Sequence, residues 1–227
     1  MRWGRVPIRC GGATKADVAV LVFARAPAPG RAKTRLAARI GEWRAARLHA
    51  RLTLRALRTA LASGCATVEL HAAPRRHRFF AFVETRFRIV VRDQGRGDLG
   101  ARMRGALETA LRRHRAAILI GSDCPSLSAR HLRQAARWLR GGCHAVFSPA
   151  EDGGYALVGV RRSMPRLFEG IDWGGASVFE QTRSRLVRLG CRWRALPQVW
   201  DVDRPEDLDR LRRLPLTRTT GESKTAC

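Results

Sequence analysis

The strongest apolar run in the chain ends in an aspartate. Residues 116–127 read AAILIGSDCPSL, so six apolar or small residues lead straight into Ser122, Asp123 and Cys124, and Pro125 stops the pattern. A run this short, with β-branched Ile118 and Ile120, predicts a strand buried on both faces. Ligands of open α/β sheets bind beyond the carboxyl ends of the strands. Asp123 is therefore a candidate catalytic and metal-binding residue. A second acidic loop, Glu151-Asp152-Gly153-Gly154-Tyr155, follows another predicted strand. Asp123 and Asp152 together suit Mg²⁺ (or Mn²⁺), a hard cation that takes one or two carboxylates plus substrate phosphates. Each aspartate alone also fits a turn or an N-cap.

A cationic loop follows the first predicted strand and carries Arg25, Gly30, Lys33, Thr34 and Arg35. Backbone amides and the positive end of the following helix favour phosphate there. Lys33 is conspicuous because the chain has only two other lysines, Lys15 and Lys224. The loop is not a Walker A motif, since it lacks the early glycine and the glycine directly before lysine. A solvated basic loop is its bland reading. A third loop, Gln94-Gly95-Arg96-Gly97-Asp98-Leu99-Gly100, lets backbone approach a ligand closely. Gln94, Gly95, Gly97, Asp98 and Gly100 are its candidate nucleotide contacts.

Gly153, Gly154, Trp173 and Asp201 are candidates for an acceptor site. Trp173 fits a core position equally well. In residues 201–207, Asp203 and Glu206 fit a capping box, which leaves Asp201 the freer carboxylate. Other chemistries find little support. No histidine pattern suits zinc, no C-x-x-C is present, and Ser122 has no evident partner base. Cys124 reads as a small buried residue beneath a loop.

The elements that must position these residues follow from periodicity and breakers. Strands are predicted over 18–24, 66–73, 87–91, 116–121, 144–148, 155–160 and 192–196. Helices are predicted over 34–63 (with a break near Gly41), 75–85, from about 100 to 115, from Ser128 to Gly141-Gly142, over 176–189, and over 205–214 with Pro205 in its first turn. Alternating strands and helices imply an α/β domain with a mostly parallel, doubly wound sheet. The segment before 155–160 is too short for a helical crossover, so that strand returns antiparallel. The domain is expected over 17–214, with a flexible N-terminal extension (1–16) and a disordered tail (215–227).

The 227 residues carry 44 Lys+Arg against 19 Asp+Glu, a net charge of +25. That charge admits a basic nucleic-acid-binding module as a reading from another class. The arginines are spread along helices, however, without a block of interleaved aromatics, which makes nucleic acid an unlikely partner and fits compositional bias. No run reaches membrane-span length and no secretory signal is legible, so a cytoplasmic protein is expected.

The motifs, taken in order, resemble a bacterial family of GT-A-like, glycosyltransferase-type proteins. That family is related to the guanylyltransferases of coenzyme F420 and molybdenum-cofactor synthesis. The matching segments are FARAPAPGRAKTRL (23–36), QGRGDLGARM (94–103), IGSDCPSL (120–127), SPAEDGGYALVG (148–159) and DVDRPEDL (201–208). The resemblance implies a nucleotide-diphospho-sugar transferase fold, with the nucleotide over the N-terminal half of the sheet and Asp123 as the metal-binding aspartate. The function it implies is metal-dependent transfer from a nucleotide or nucleotide-sugar donor, first glycosyl transfer to a small-molecule acceptor. The alternative is nucleotidyl transfer to a small phosphorylated metabolite with release of pyrophosphate.

Overall fold

The computed structural model describes residues 16–65 and 67–214. The expected tail, and the expected extension apart from Ala16, lie outside the described residues. So does Ala66, the expected first residue of the second strand. Seven strands alternate with helices: β1 (Ala16–Arg25), α1 (Thr34–Ile40), α2 (Glu42–Leu61), β2 (Thr67–Ala73), α3 (Arg78–Phe87), β3 (Val90–Asp93) and α4 (Leu99–Leu111). The second half runs β4 (His114–Gly121), α5 (Ala129–Arg140), β5 (Ala145–Pro149), β6 (Tyr155–Val160), a 3-10 turn (Pro165–Leu167), α6 (Val178–Arg188), β7 (Trp193–Ala195) and α7 (Asp207–Arg213).

All strands form one sheet in the order β3-β2-β1-β4-β6-β5-β7. Only β6 runs against its neighbours, pairing antiparallel with both β4 and β5. The expected antiparallel return is therefore in place. The two central strands show why the sheet is covered twice. Val18, Val20, Val22 and Ala24 face one core with α2, α3 and α5, whereas Ala19, Leu21 and Phe23 face the other with α4 and α6. Strand β4 alternates in the same way, with Ile118 and Ile120 on the first face and Leu119 on the second. Period-2 alternation of apolar residues on both faces leaves such strands no exposed side.

Several boundaries differ from expectation for local reasons. The break expected near Gly41 is in place, at a φ of 82° that no helix contains, although α2 ends at Leu61, two residues short of expectation. Phe87 closes α3 instead of opening β3, because Arg88 takes a left-handed φ of 52°. Helix α4 ends at Leu111, short of the expected 115, and β4 already begins at His114. Helix α6 starts at Val178, and α7 starts at Asp207, so Pro205 precedes its first turn. At the end of α5, Cys143 N–H donates to Trp138 and Gly142 N–H to Leu139, a Schellman closure with Gly142 at φ 98°.

One buried charge ties the sheet's β3 side to the turn between α4 and β4. Glu69 of β2 is 2% exposed and accepts from Arg92 Nε at 2.7 Å and Arg113 Nη2 at 2.8 Å. Burial alone would raise its carboxyl, but the facing His71, Arg92 and Arg113 lower it from the ordinary 4.5 to about 2. A depressed carboxyl contributes stability that is complete above its unfolded value and is lost as pH falls through the folded one. The gap corresponds to about 3 kcal/mol. Glu69→Gln is expected to cost about that much in urea denaturation at about pH 7, with the difference from wild type closing as pH approaches about 2. An equal urea midpoint at neutral pH would remove this role.

Candidate functional site

The loops after β1, β4 and β5 and the segment before α7 meet at the carboxyl edge of the sheet. The meeting point is an ion cluster. Lys33 caps α1 with φ 54° and ψ 49°, a left-handed conformation that costs a non-glycine residue about 1–2 kcal/mol. It turns the side chain inward, where it is 4% exposed and Nζ lies 2.8 Å from Asp123 Oδ2. The bland reading of a solvated basic loop does not hold for the Lys33 side chain, which is buried against a carboxylate. A second carboxylate, Asp203, lies 4.0 Å from the same Nζ and takes Arg35 Nη1 at 2.7 Å.

Asp123 has a second neighbour that the motif reading missed. His49, buried in α2, places Nδ1 3.3 Å from Asp123 Oδ1 and Nε2 3.0 Å from the carbonyl oxygen of Arg25. It thus bridges the end of β1 to the end of β4. Ser122 Oγ donates to Asp123 Oδ1 at 3.1 Å. Burial pushes the Asp123 carboxyl up, but the His49 and Lys33 contacts outweigh it and hold the group far below the usual carboxylate range. The signal available in sequence was a histidine on the buried stripe of a helix whose other buried residues are alanine, leucine and threonine. Such a residue is ambiguous without its partner.

The remaining acids arrive through backbone bonding. Val202 N–H donates to the Asp123 carbonyl at 2.9 Å, and Ser126 Oγ donates to the Trp200 carbonyl at 3.0 Å. Cys124 Sγ also lies 2.9 Å from that carbonyl, and burial raises the thiol. Its role is packing and bonding beneath the loop. Val199 pairs with Ala150, and Glu151 N–H donates to Val199, which brings the Asp152 turn alongside. Asp201 consequently has its carboxyl raised, first by burial and then by the charge of Asp152, with Asp203 adding to it. The expected capping box is absent. Asp203 pairs with Arg35, and Asp207 instead accepts from the backbone N–H groups of Asp203 and Arg204.

The glycine-rich loop closes the other end of the edge. Gln94 is buried; its amide donates to the carbonyls of Ala24 and His71 at 3.2 and 3.0 Å, and its oxygen accepts from Arg102 at 3.0 Å. The side chain thereby stitches β1, β2 and α4 together. Asp98 is the N-cap of α4, accepting from Ala101 N–H at 2.7 Å. Gly95 N–H donates to Asp93 in a turn with φ 86°, and Gly97 has φ 93°. Gly100 is buried under Trp173, and a Cβ there would meet the indole at 2.5 Å. Trp173 itself packs edge-on against Tyr155 with its Nε1 buried and unbonded. Gly153 has φ 86°, and a Cβ on it would sit 1.8 Å from the Ala176 carbonyl oxygen, so only glycine allows α6 to dock on this loop. Gly154 N–H donates to Asp152 Oδ1 at 2.9 Å. Gly30 turns at φ 71° against Glu42, Thr34 opens α1, and the Arg25 side chain is exposed. Among the described residues, no group of three or more His, Cys, Asp or Glu side chains is arranged to enclose a metal ion.

Residues 56–175 match the model of a family described as "Uncharacterized protein conserved in bacteria (DUF2064)". The chain belongs to this family. No curated protein matches the chain. Among solved structures, the chain is similar to a protein of Desulfovibrio desulfuricans G20 provisionally described as a nucleotide-diphospho-sugar transferase. The two are 29% identical with a TM-score of 0.82 over 92% of each chain. Glucosyl-3-phosphoglycerate synthase from Mycobacterium tuberculosis, solved with Mn²⁺, UDP and glucosyl-3-phosphoglycerate, shares the fold at 12% identity and a TM-score of 0.55, over 88% of this chain and 75% of that one. CMP:2-keto-3-deoxy-manno-octonic acid synthetase, solved with CTP, does so at 11% and 0.56, over 87% and 97%. The fold is that of the nucleotide-diphospho-sugar transferases.

The ion cluster makes a testable demand on stability. Removing the Asp123 charge leaves a buried ammonium with only Asp203 at longer range. Breaking a buried pair costs about 3–5 kcal/mol, and the partial exposure of Asp123 reduces this to about 2 kcal/mol for Asp123→Asn. Adding Lys33→Met should recover more than half of the loss. Chemical denaturation of the single and double variants measures both, and strictly additive losses would show that the two side chains are not coupled.

Proposed function

We propose that this protein is a metal-dependent transferase acting on a nucleotide-sugar donor and passing the glycosyl group to a small-molecule acceptor, within a single domain over 17–214. The observation that carries the reading is the convergence of Lys33, Asp123 and Asp201 at the carboxyl edge of β1 and β4, the position where open α/β sheets bind ligands. The fold likeness to the Desulfovibrio protein over nearly the whole chain supports it. The implied relation to the coenzyme F420 and molybdenum-cofactor guanylyltransferases belongs to the same reading.

Burial, and then the charges of Asp152 and Asp203, raise Asp201, which faces the same Lys33 that Asp123 pairs with. No three acids enclose a site among the described residues, so a divalent cation would take two carboxylates and complete its shell with substrate phosphates, as Mg²⁺ or Mn²⁺ does. Asp123 and Asp201 would hold the ion, which when bound supplies charge neutralisation to a departing diphosphate. Lys33 and Arg25 hold donor phosphates, and the Gly95–Gly97 turn lets backbone approach them. Lys33 and Asp123 are bonded to each other in the ligand-free protein, so taking up a phosphate and a cation together exchanges one ion pair for two. His49 keeps Asp123 oriented throughout. Gln94 acts through Arg102, because its own polar atoms are committed. Trp173 and the Gly153–Gly154 loop border the acceptor side, where Asp152 binds the acceptor or takes its proton.

A second reading rests on one feature. Asp123 is followed by Cys124 and Pro125, so the D-x-D of many glycosyltransferases is absent from the loop after β4. A single aspartate before proline suits nucleotidyl transfer with pyrophosphate release. Product analysis with nucleotide sugars and nucleoside triphosphates separates the two: a nucleoside diphosphate supports the first, pyrophosphate the second, and neither with any donor overturns both. Binding isolates the phosphate role. Lys33→Ala is expected to weaken nucleotide affinity roughly 10- to 100-fold in calorimetry with Mg²⁺ or Mn²⁺ present, the size of a lost charge-assisted hydrogen bond. Equal affinities would exclude Lys33 from the donor site.

A further inference from the structure

The arginines that are scattered along the sequence are gathered by the fold. Helix α2 exposes Arg44, Arg47, Arg51 and Arg58, spaced so that they share one outer face. Helix α5 exposes Arg130, Arg133 and Arg137 at the same kind of spacing. The two helices lie side by side on one face of the sheet, sharing a core and cross-linked by Arg133 to the Ala62 carbonyl and Arg55 to the Pro125 carbonyl. None of the exposed seven makes an ion pair among the described residues. Helix α5 contains no acidic residue and α2 only Glu42, in its first turn.

Compositional bias alone does not produce this. Helices α4, α6 and α7 are also rich in arginine, yet each carries acids, and Arg104, Arg183, Arg210 and Arg212 all have carboxylate partners. The α2–α5 face is also studded with apolar side chains. Trp43 at the start of α2 is 72% exposed and Leu61 at its end 42%. Unpaired cations around protruding Trp and Leu are the composition of a surface that sits at a lipid headgroup layer. An aliphatic Leu61 offers nothing to a nucleic acid, whose phosphates and bases call for cations and stacking rings.

We infer that the α2–α5 face docks this protein on an anionic phospholipid bilayer surface. Docking sets the candidate site close to that surface, because Trp43 begins the helix whose second turn carries His49, about 9 Å along its axis. The inference stands on the surface alone and does not depend on the proposed donor chemistry.

Vesicle co-sedimentation of the full chain tests it, with phosphatidylcholine alone and phosphatidylcholine mixed with phosphatidylglycerol. Binding to the mixed vesicles alone, reversed by high salt, is expected. Combined Arg44→Glu, Arg47→Glu and Arg51→Glu should lower partitioning roughly 100-fold, and Arg130→Glu with Arg137→Glu offers an independent pair should the triple variant melt early. Quenching of tryptophan fluorescence by brominated lipid should fall on Trp43→Phe. Three results would each overturn the inference: no binding to the mixed vesicles at low salt, an equal loss from Arg104→Glu, Arg183→Glu and Arg188→Glu on α4 and α6 across the sheet, or displacement from vesicles by single-stranded RNA at far lower phosphate concentration than the lipid presents.

Discussion

A buried ammonium must be neutralised, and in this protein that requirement organises the functional edge of the sheet. Lys33 follows β1, Asp123 follows β4, and Asp203 precedes α7. Nothing in the chain order brings these three segments together, but the Lys33 side chain is almost wholly out of water and needs a carboxylate. Asp123 meets that need at 2.8 Å and is itself held by His49, which also grips the end of β1. With the carboxylate fixed, its backbone carbonyl anchors Val202, and the neighbouring serine and cysteine anchor Trp200. The acidic loops then have only one place to go. The left-handed backbone at Lys33 is tolerated because this cluster over-determines it.

Much of the fold was legible because burial on two faces leaves a plain mark. The runs in β1 and β4 are apolar without interruption, and each strand divides its residues between two separate cores. The reversal at β6 was legible from chain length, since five residues cannot carry a helix back across a sheet. The boundaries that slipped are those set by single backbone choices. A left-handed Arg88 ends α3 after Phe87, a residue whose type suits a strand as well as a helix. Asp207 takes over the amides that Asp203 was expected to organise, because Asp203 is held by Arg35. Local propensity cannot anticipate a partner 168 positions away.

The site was legible as loops but not as contacts. Asp123, Asp152, Asp201 and Lys33 each follow or border a strand, and that is enough to place them on one edge. Which of them touch is a tertiary fact. His49 occupies a slot in the buried stripe of α2 between Ala45 and Leu52, where any medium-sized residue would satisfy the pattern. Gln94 looked like a ligand contact because it stands beside glycines. Its position beneath three strand ends gives its amide two carbonyls and an arginine instead. Trp173 was ambiguous between core and ligand, and the bare backbone of Gly100 accounts for its packing without accounting for its unbonded Nε1.

Charge is distributed in this molecule against its own average. With 44 basic and 19 acidic residues, carboxylates are scarce, yet four of them, Asp123, Asp152, Asp201 and Asp203, stand together at one edge. The α2–α5 face beside that edge has almost none. A uniformly cationic surface would attract a nucleotide diphosphate anywhere, with no preference for the site. An acidic edge repels a bare diphosphate and accepts one that arrives with a divalent cation, because the cation reverses the sign of the interaction. On the proposed function, the lone lysine among these acids would supply the point charge that meets phosphate oxygen. The same biased composition thus leaves one edge of the domain acidic around a single buried lysine and one face bare of acids around unpaired arginines.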